Sequence, residues 1–218
     1  MLLTAVIVLT LFTSWVVAGY LPTRNIETPA YRVVETRSDY QIRGYASYIV
    51  AETQQKGSQK ESRSGGFREL FRYITGDNIA AAKIAMSAPV LQSGEAPGEK
   101  ISMSAPVIKQ GEGGSSCIAF VMPKGSRLEE LPRPKSTAVR LRVVPAGSFA
   151  VVTFSGSPTD AKIKAKTEEL LAALARDGRV ERAAPQVALY NPPWTPPFMR
   201  RNEVMVEINL DEKAANPD

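Results

Sequence analysis

Polar and apolar positions divide the chain sharply. The first 21 residues, MLLTAVIVLTLFTSWVVAGYL, carry no charged side chain, and every charge lies after residue 23. Such a run matches the roughly 20 residues that span a bilayer, and Trp15 and Tyr20 suit a membrane interface. Residues 1–23 are therefore expected to be an anchor or a signal peptide. Val16-Val17-Ala18 would suit cleavage, but no Lys or Arg precedes the run, and its length favours the anchor. A linker, 24–30, leads to a folded domain over 31–210 and a short tail, 211–218.

Beyond the linker the pattern alternates. Tyr31–Thr36, Asp39–Tyr45 and Ala46–Glu52 read as strands rich in Tyr and β-branched residues. Residues 53–66 are polar and are expected to form a loop. The period then changes. Phe67, Leu70, Phe71 and Ile74 stand at i, i+3, i+4 and i+7, which predicts a helix from about Gly66 with all four on one face. Gly76 is placed to end it. The phrase MSAPV follows twice, at 86–90 and 103–107, with a polar Gly- and Pro-containing stretch between. Two apolar runs bridged by turn residues predict a self-paired hairpin. Met86 and Met103 either fill its core face or line a pocket for a large apolar ligand.

A second cycle repeats the first. Strands are expected at 117–122, 138–144 and 149–154. Ser157, Pro158 and Asp160 announce a helix with Ser157 as cap. Ile163, Leu170, Leu171 and Leu174 share its face, and Gly178 closes it. Each half reads strand, strand, helix, more strands. This predicts an α+β domain with two helices on antiparallel sheet and pseudo-twofold symmetry.

The C-terminal part contains Tyr190-Asn191-Pro192-Pro193-Trp194-Thr195-Pro196-Pro197-Phe198, with four prolines in six residues. Proline lowers the cost of holding a loop in one shape. Trp194 and Phe198 then either plug the end of the barrel or lie as a lid over a ligand. Arg200-Arg201-Asn202-Glu203 beside them reads equally as a polar network tying this loop to the last strand.

Composition narrows the chemistry. The 218 residues are 44% hydrophobic with a net charge of +5. That mild basic excess fits an anionic ligand or membrane surface, and its dispersal argues against nucleic acid. The chain has no histidine, which excludes Ser-His-Asp and Cys-His catalysis and His-ligated zinc or haem. Cys117 is the only cysteine, so no internal disulfide forms; in its apolar run it reads as a buried, inert thiol. Glu203 and Asp77 have no acid–base partner at catalytic spacing, so a non-enzymatic protein is expected.

Taken in order, Tyr40-Gln41-Ile42-Arg43, Val50-Ala51-Glu52, the helix ending Tyr73-Ile74-Thr75-Gly76-Asp77-Asn78, both MSAPV copies, and Tyr190–Trp194 through Arg200–Val204 resemble the SOUL haem-binding protein family over about residues 31–210. The resemblance implies a distorted antiparallel barrel of two four-stranded sheets flanked by two helices. It also implies haem or porphyrin binding, non-covalent and without His ligation, in an apolar groove beside the first helix. On this chain's own residues, Phe67, Leu70, Phe71, Met86, Met103, Trp194 and Phe198 are expected to line the groove. Arg72 matches a basic position of the family, and Arg72, Arg200 or Arg68 would meet the propionates. The family's basic residue in the Pro-rich loop is replaced near Thr195. The expected protein is a monomeric haem carrier, buffer or sensor, held to the membrane by its N-terminal segment or exported to the cell envelope. The alternative is a SOUL-fold interaction protein that binds no haem and engages a protein or lipid; the absent histidine and loop lysine favour it.

Overall fold

The computed structural model describes residues 2–20, 27–56, 59–80, 98–111 and 115–209. In chain order the elements are α1 (Leu2–Tyr20), β1 (Tyr31–Thr36), β2 (Gln41–Tyr45), β3 (Tyr48–Lys56), α2 (Gln59–Ile74), β4 (Asn78–Ile79), β5 (Val107–Gln110), β6 (Ser115–Val121), β7 (Arg133–Pro134), β8 (Val139–Val144), β9 (Gly147–Phe154), α3 (Asp160–Arg176), β10 (Gln186–Leu189) and β11 (Asn202–Ile208).

Nine strands form one antiparallel sheet in the order β1-β2-β9-β11-β10-β5-β6-β3-β8, while β4 and β7 pair separately. This corrects the expected pair of four-stranded sheets. The two sets exist, β8-β3-β6-β5 and β2-β9-β11-β10, but the β5–β10 ladder from Val107↔Leu189 to Gln110↔Gln186 fuses them. Neither end strand closes on the other, so the sheet is a curled half-barrel, not a barrel. The strand order reads alike outward from the β5–β10 seam. The halves also exchange strands. Only Ala46 and Ser47 separate β2 from β3, yet β2 pairs with β9 and β3 with β8.

Period-two alternation assigns the faces. On β11, Val204, Val206 and Ile208 pack with Ala150, Val152, Phe154, Leu170 and Leu174 beneath α3. On β3 and β6, Ile49, Ala51, Ile118 and Phe120 pack with Leu70, Tyr73 and Ile74 of α2. The intervening residues face the other way. Tyr45, Phe149, Val151, Ala188 and Met205 form one cluster there, and Val50, Ile108, Ala119 and Val121 another. Both are buried although the clusters contain no helical residue, so the curl of the sheet itself shields these side chains.

Local expectations differ in instructive places. The polar stretch 53–66 is not a loop: β3 runs to Lys56 and α2 begins at Gln59. Gly76, at φ +118°, follows the end of α2, and Gly178, at φ +66°, follows α3. The cap of α3 is Thr159, whose side chain accepts from Lys162 N, and not Ser157. The MSAPV hairpin is corrected as well. Residues 101–106 are not strand, and β5 pairs with β6 and β10. The first copy, with Met86, lies outside the described residues.

The uncharged α1 has 19 residues; at 1.5 Å per residue it rises about 28 Å, just under the roughly 30 Å hydrocarbon core. Among the described residues no helix is long and apolar enough to cross a membrane.

Candidate ligand-binding site

The outer face of α2 is the first part of the site. The four apolar residues predicted to share one face are divided by the fold. Leu70 is fully buried and Ile74 nearly so, both in the core under the helix. Phe67 and Phe71, one turn apart, remain 39% and 43% exposed. Their rings stack at 5.9 Å between centroids, 13° from parallel, and the edge of the pair is anchored by Phe67 meeting Phe120 at 5.2 Å. Gly66 makes this approach possible: a Cβ there would stand 2.7 Å from Ile118 Cγ1. The result is a half-exposed aromatic platform braced on Phe120, able to meet a flat apolar ligand. Arg72 rises beside it, its guanidinium donating to Asp77 at 2.5 Å and lying 3.9 Å from Glu69.

The motif after the helix is structural. Asn78 is buried and donates from Nδ2 to the carbonyls of Tyr73 and Glu99, both at 2.7 Å, while Oδ1 accepts from Glu99 N at 2.9 Å. Ile101 N donates to Ile74 O at 2.8 Å. The stretch carrying the second MSAPV copy is thus tied to the end of α2. Met103 of that copy is exposed.

The Pro-rich loop forms a separate surface. Trp194 and Phe198 are 60% and 59% exposed, so they do not plug the sheet interior. Thr195 is buried instead, its hydroxyl donating to Gly19 O at 3.4 Å, and Trp15 Nε1 donates to Trp194 O at 3.0 Å. A Cβ at Gly19 would stand 2.4 Å from Pro196 Cδ, so the end of α1 seats directly on the prolines. Arg200 does not reach the α2 platform. It donates to Thr195 O at 2.7 Å and to the carbonyl of Pro193, and so holds the loop in shape.

The Arg-Arg-Asn-Glu sequence builds a buried network. Glu203 Oε1 accepts from Arg43 Nη1 at 2.8 Å, Arg201 Nη2 at 2.8 Å and Thr153 Oγ1 at 3.2 Å; Oε2 accepts from Tyr190 at 2.7 Å. Burial alone would raise the Glu203 carboxyl, but the bonds from Arg43 and Tyr190 and the charge of Arg201 outweigh it and hold its pKa below the usual glutamate value. Burial, then the Glu203 charge, push Tyr190 far up. Tyr45 nearby has no hydrogen-bond partner for its hydroxyl; burial pushes it up to about 12 despite the opposing pull of Arg43. Arg43, missed as a partner from sequence, enters 160 residues away from Glu203. A lone arginine in an alternating strand, Gln41-Ile42-Arg43-Gly44-Tyr45, was the available signal.

Neither metal nor thiol chemistry is prominent. Among the described residues no three His, Cys, Asp or Glu come together as a metal site. Burial, followed by Glu52 nearby, pushes the Cys117 thiol up to about 11, which keeps it protonated and unreactive at neutral pH.

Three solved structures share the architecture. The C-terminal domain of EcmrR superposes with a TM-score of 0.55 at 11% identity, over 78% of this chain and 98% of that one. EcmrR in its DNA complex gives 0.54 at 10% identity, over 78% and 57%. A hydrolase from Listeria innocua gives 0.50 at 9% identity, over 79% and 93%. At such identities the likeness is one of fold alone. No curated protein matches the sequence. The family model described as SOUL heme-binding protein matches residues 26–207, which is most of the chain, and the protein belongs to that family.

Proposed function

We propose that the protein binds haem or a related flat tetrapyrrole on the α2 platform, without catalysis, as a carrier, buffer or sensor. The observation that carries this reading is the stacked, half-exposed pair Phe67 and Phe71. Covering about 200 Å² of apolar surface there would contribute roughly 5 kcal/mol before the costs of association. Arg68 and Arg72 on the same helix supply cations for propionates. The test is a titration of the full chain with haemin and with protoporphyrin. Both are expected to bind with similar affinity, and Phe67→Ala with Phe71→Ala to weaken both at least tenfold. Binding of haemin alone, or no change in the Soret band, sinks the platform reading.

A second reading concerns the Pro-rich loop. Exposed Trp194 and Phe198 adjoin the uncharged helix α1, which also exposes Trp15 and several aliphatic side chains. This arrangement supports a membrane-held protein with the loop at the lipid interface. Flotation with phosphatidylcholine–phosphatidylglycerol vesicles tests it: the full chain is expected to float, and Trp194→Ala with Phe198→Ala to reduce the bound fraction. A full chain that stays at the bottom of the gradient removes the reading.

A further inference from the structure

The inner face of the sheet holds a partly open recess that neither reading uses. A cavity of about 130 Å³ opens there, walled by Val50, Ile108, Ala119 and Phe149, with Val144 among its lining residues. Its size limits its occupant. An engineered cavity of about 150 Å³ takes up benzene, whereas sites for drug-sized ligands run to roughly 300–1,000 Å³. A tetrapyrrole is far too large, and one ring fits.

The charges of the lining select further. Among the lining residues, the charged groups are the carboxylates of Glu52 and Glu207 and the single guanidinium of Arg142. Arg142 Nε is already bound to Glu52 at 3.0 Å, so that pair is neutral within itself. Glu207 has only Arg182 at 3.4 Å, whose side chain is mostly in solvent, where such a contact contributes little. Arg182 is not among the lining residues, so the lining itself carries one net negative charge, and Glu207 is the carboxylate whose cation stands outside the cavity. In the β9–β11 ladder Glu207 stands directly opposite Phe149, and residues so paired project side by side from the same face. A carboxylate and an aromatic wall are thus presented together at the cavity.

We propose that this cavity is a second ligand site, for a small organic cation bearing one apolar ring, with the cation on Glu207 and the ring against Phe149, Val50, Ile108 and Ala119. The site is independent of the α2 platform, since these residues lie on the opposite face of the sheet.

Calorimetric titration of the full chain with benzamidinium, benzoate and benzyl alcohol tests it. Benzamidinium is expected to bind at least tenfold more tightly than the other two. Glu207→Gln should remove about that tenfold preference, and Val144→Trp, which fills the cavity, should abolish binding. Equal affinity for the three probes, undiminished binding by Val144→Trp, or no binding of benzamidinium at millimolar concentration overturns the proposal. Should Val144→Trp fail to fold, the conservative Glu207→Gln decides it alone.

Discussion

Arg43 and Glu203 meet at 2.8 Å in the interior, with side chains only 6% and 0% exposed. β2 and β11 each pair with β9, so the contact spans that strand and passes Thr153, which donates to the same carboxylate. A buried ion pair is weak evidence for net stability, but removing one partner strands the other charge, at a cost of about 3–5 kcal/mol. Glu203→Ala is therefore expected to destabilise by that amount in urea unfolding. A change below about 1 kcal/mol would mean that water enters and solvates Arg43.

The same carboxylate sets an acid limit. Its folded pKa is depressed, so its contribution is fully present above the unfolded glutamate value of about 4.3 and fades as pH falls through the lower folded value. Asp177 behaves alike, held down first by its bond from Tyr40 and then by Arg176. Urea midpoints measured from pH 6 down to pH 2 should fall below about pH 4.5, and Glu203→Gln should flatten its share of the fall while lowering the midpoint at pH 6.

Much of this was legible in the sequence, and what was not has a common cause. Hydrophobic period located both helices and most strands, because Leu70, Ile74, Leu170 and Leu174 had to be buried. The period could not divide the apolar face of α2. Phe67 and Phe71 lie at one edge of that arc, and which edge remains uncovered depends on the sheet beneath. Strand partners were invisible for a similar reason. The two-residue link Ala46-Ser47 is short enough for a hairpin, but β2 and β3 join opposite halves, a choice made by residues a hundred positions away. The MSAPV repeat misled because identical phrases imply similar local chemistry, not mutual pairing. The inner cavity exists only once seven strands have curled around it, so no stretch of sequence announces it.

On the alkaline side the buried tyrosines dominate. Burial pushes Tyr45 and Tyr73 up to about 12, against about 10 in an unfolded chain. The folded state holds these protons more tightly, so their stabilisation is complete below pH 10 and is lost as pH rises toward 12. Absorbance at 295 nm should show a tyrosinate step that coincides with unfolding. Tyr45→Phe should shrink that step and change stability at pH 7 by no more than about 1 kcal/mol, since its buried hydroxyl has only the Arg43 guanidinium nearby. Tyr73→Phe should lower stability, because its hydroxyl donates to Pro132 O at 2.8 Å.

Gly66 should be irreplaceable for a reason other than conformation. Its φ is not positive, and alanine in a helix is ordinarily preferred by about 1 kcal/mol. Here the added methyl would stand 2.7 Å from Ile118 Cγ1 and 2.9 Å from its Cβ. Cβ is fixed to the β6 backbone, so the helix must move. Overpacking of this kind costs about 1–3 kcal/mol, and Gly66→Ala is expected to be net destabilising in thermal unfolding. A rise in the midpoint would show that α2 lifts freely from the sheet.

Asp77 and Arg72 give the sharpest test of the platform. Asp77 holds the Arg72 guanidinium at 2.5 Å, yet the arginine side chain is 62% exposed, so the pair contributes at most about 1 kcal/mol to stability. It does occupy donors that a propionate would need. Asp77→Asn keeps the shape and frees the guanidinium, and should raise haemin affinity severalfold with little effect on unfolding. Arg72→Glu should lower that affinity by tenfold or more and increase its salt dependence in the repulsive direction. If both variants bind haemin as the parent does, Arg72 makes no propionate contact, and the affinity rests on Phe67 and Phe71 alone. If Asp77→Asn weakens binding, Asp77 itself orients the arginine toward the ligand, and the pair acts as a unit instead of in competition.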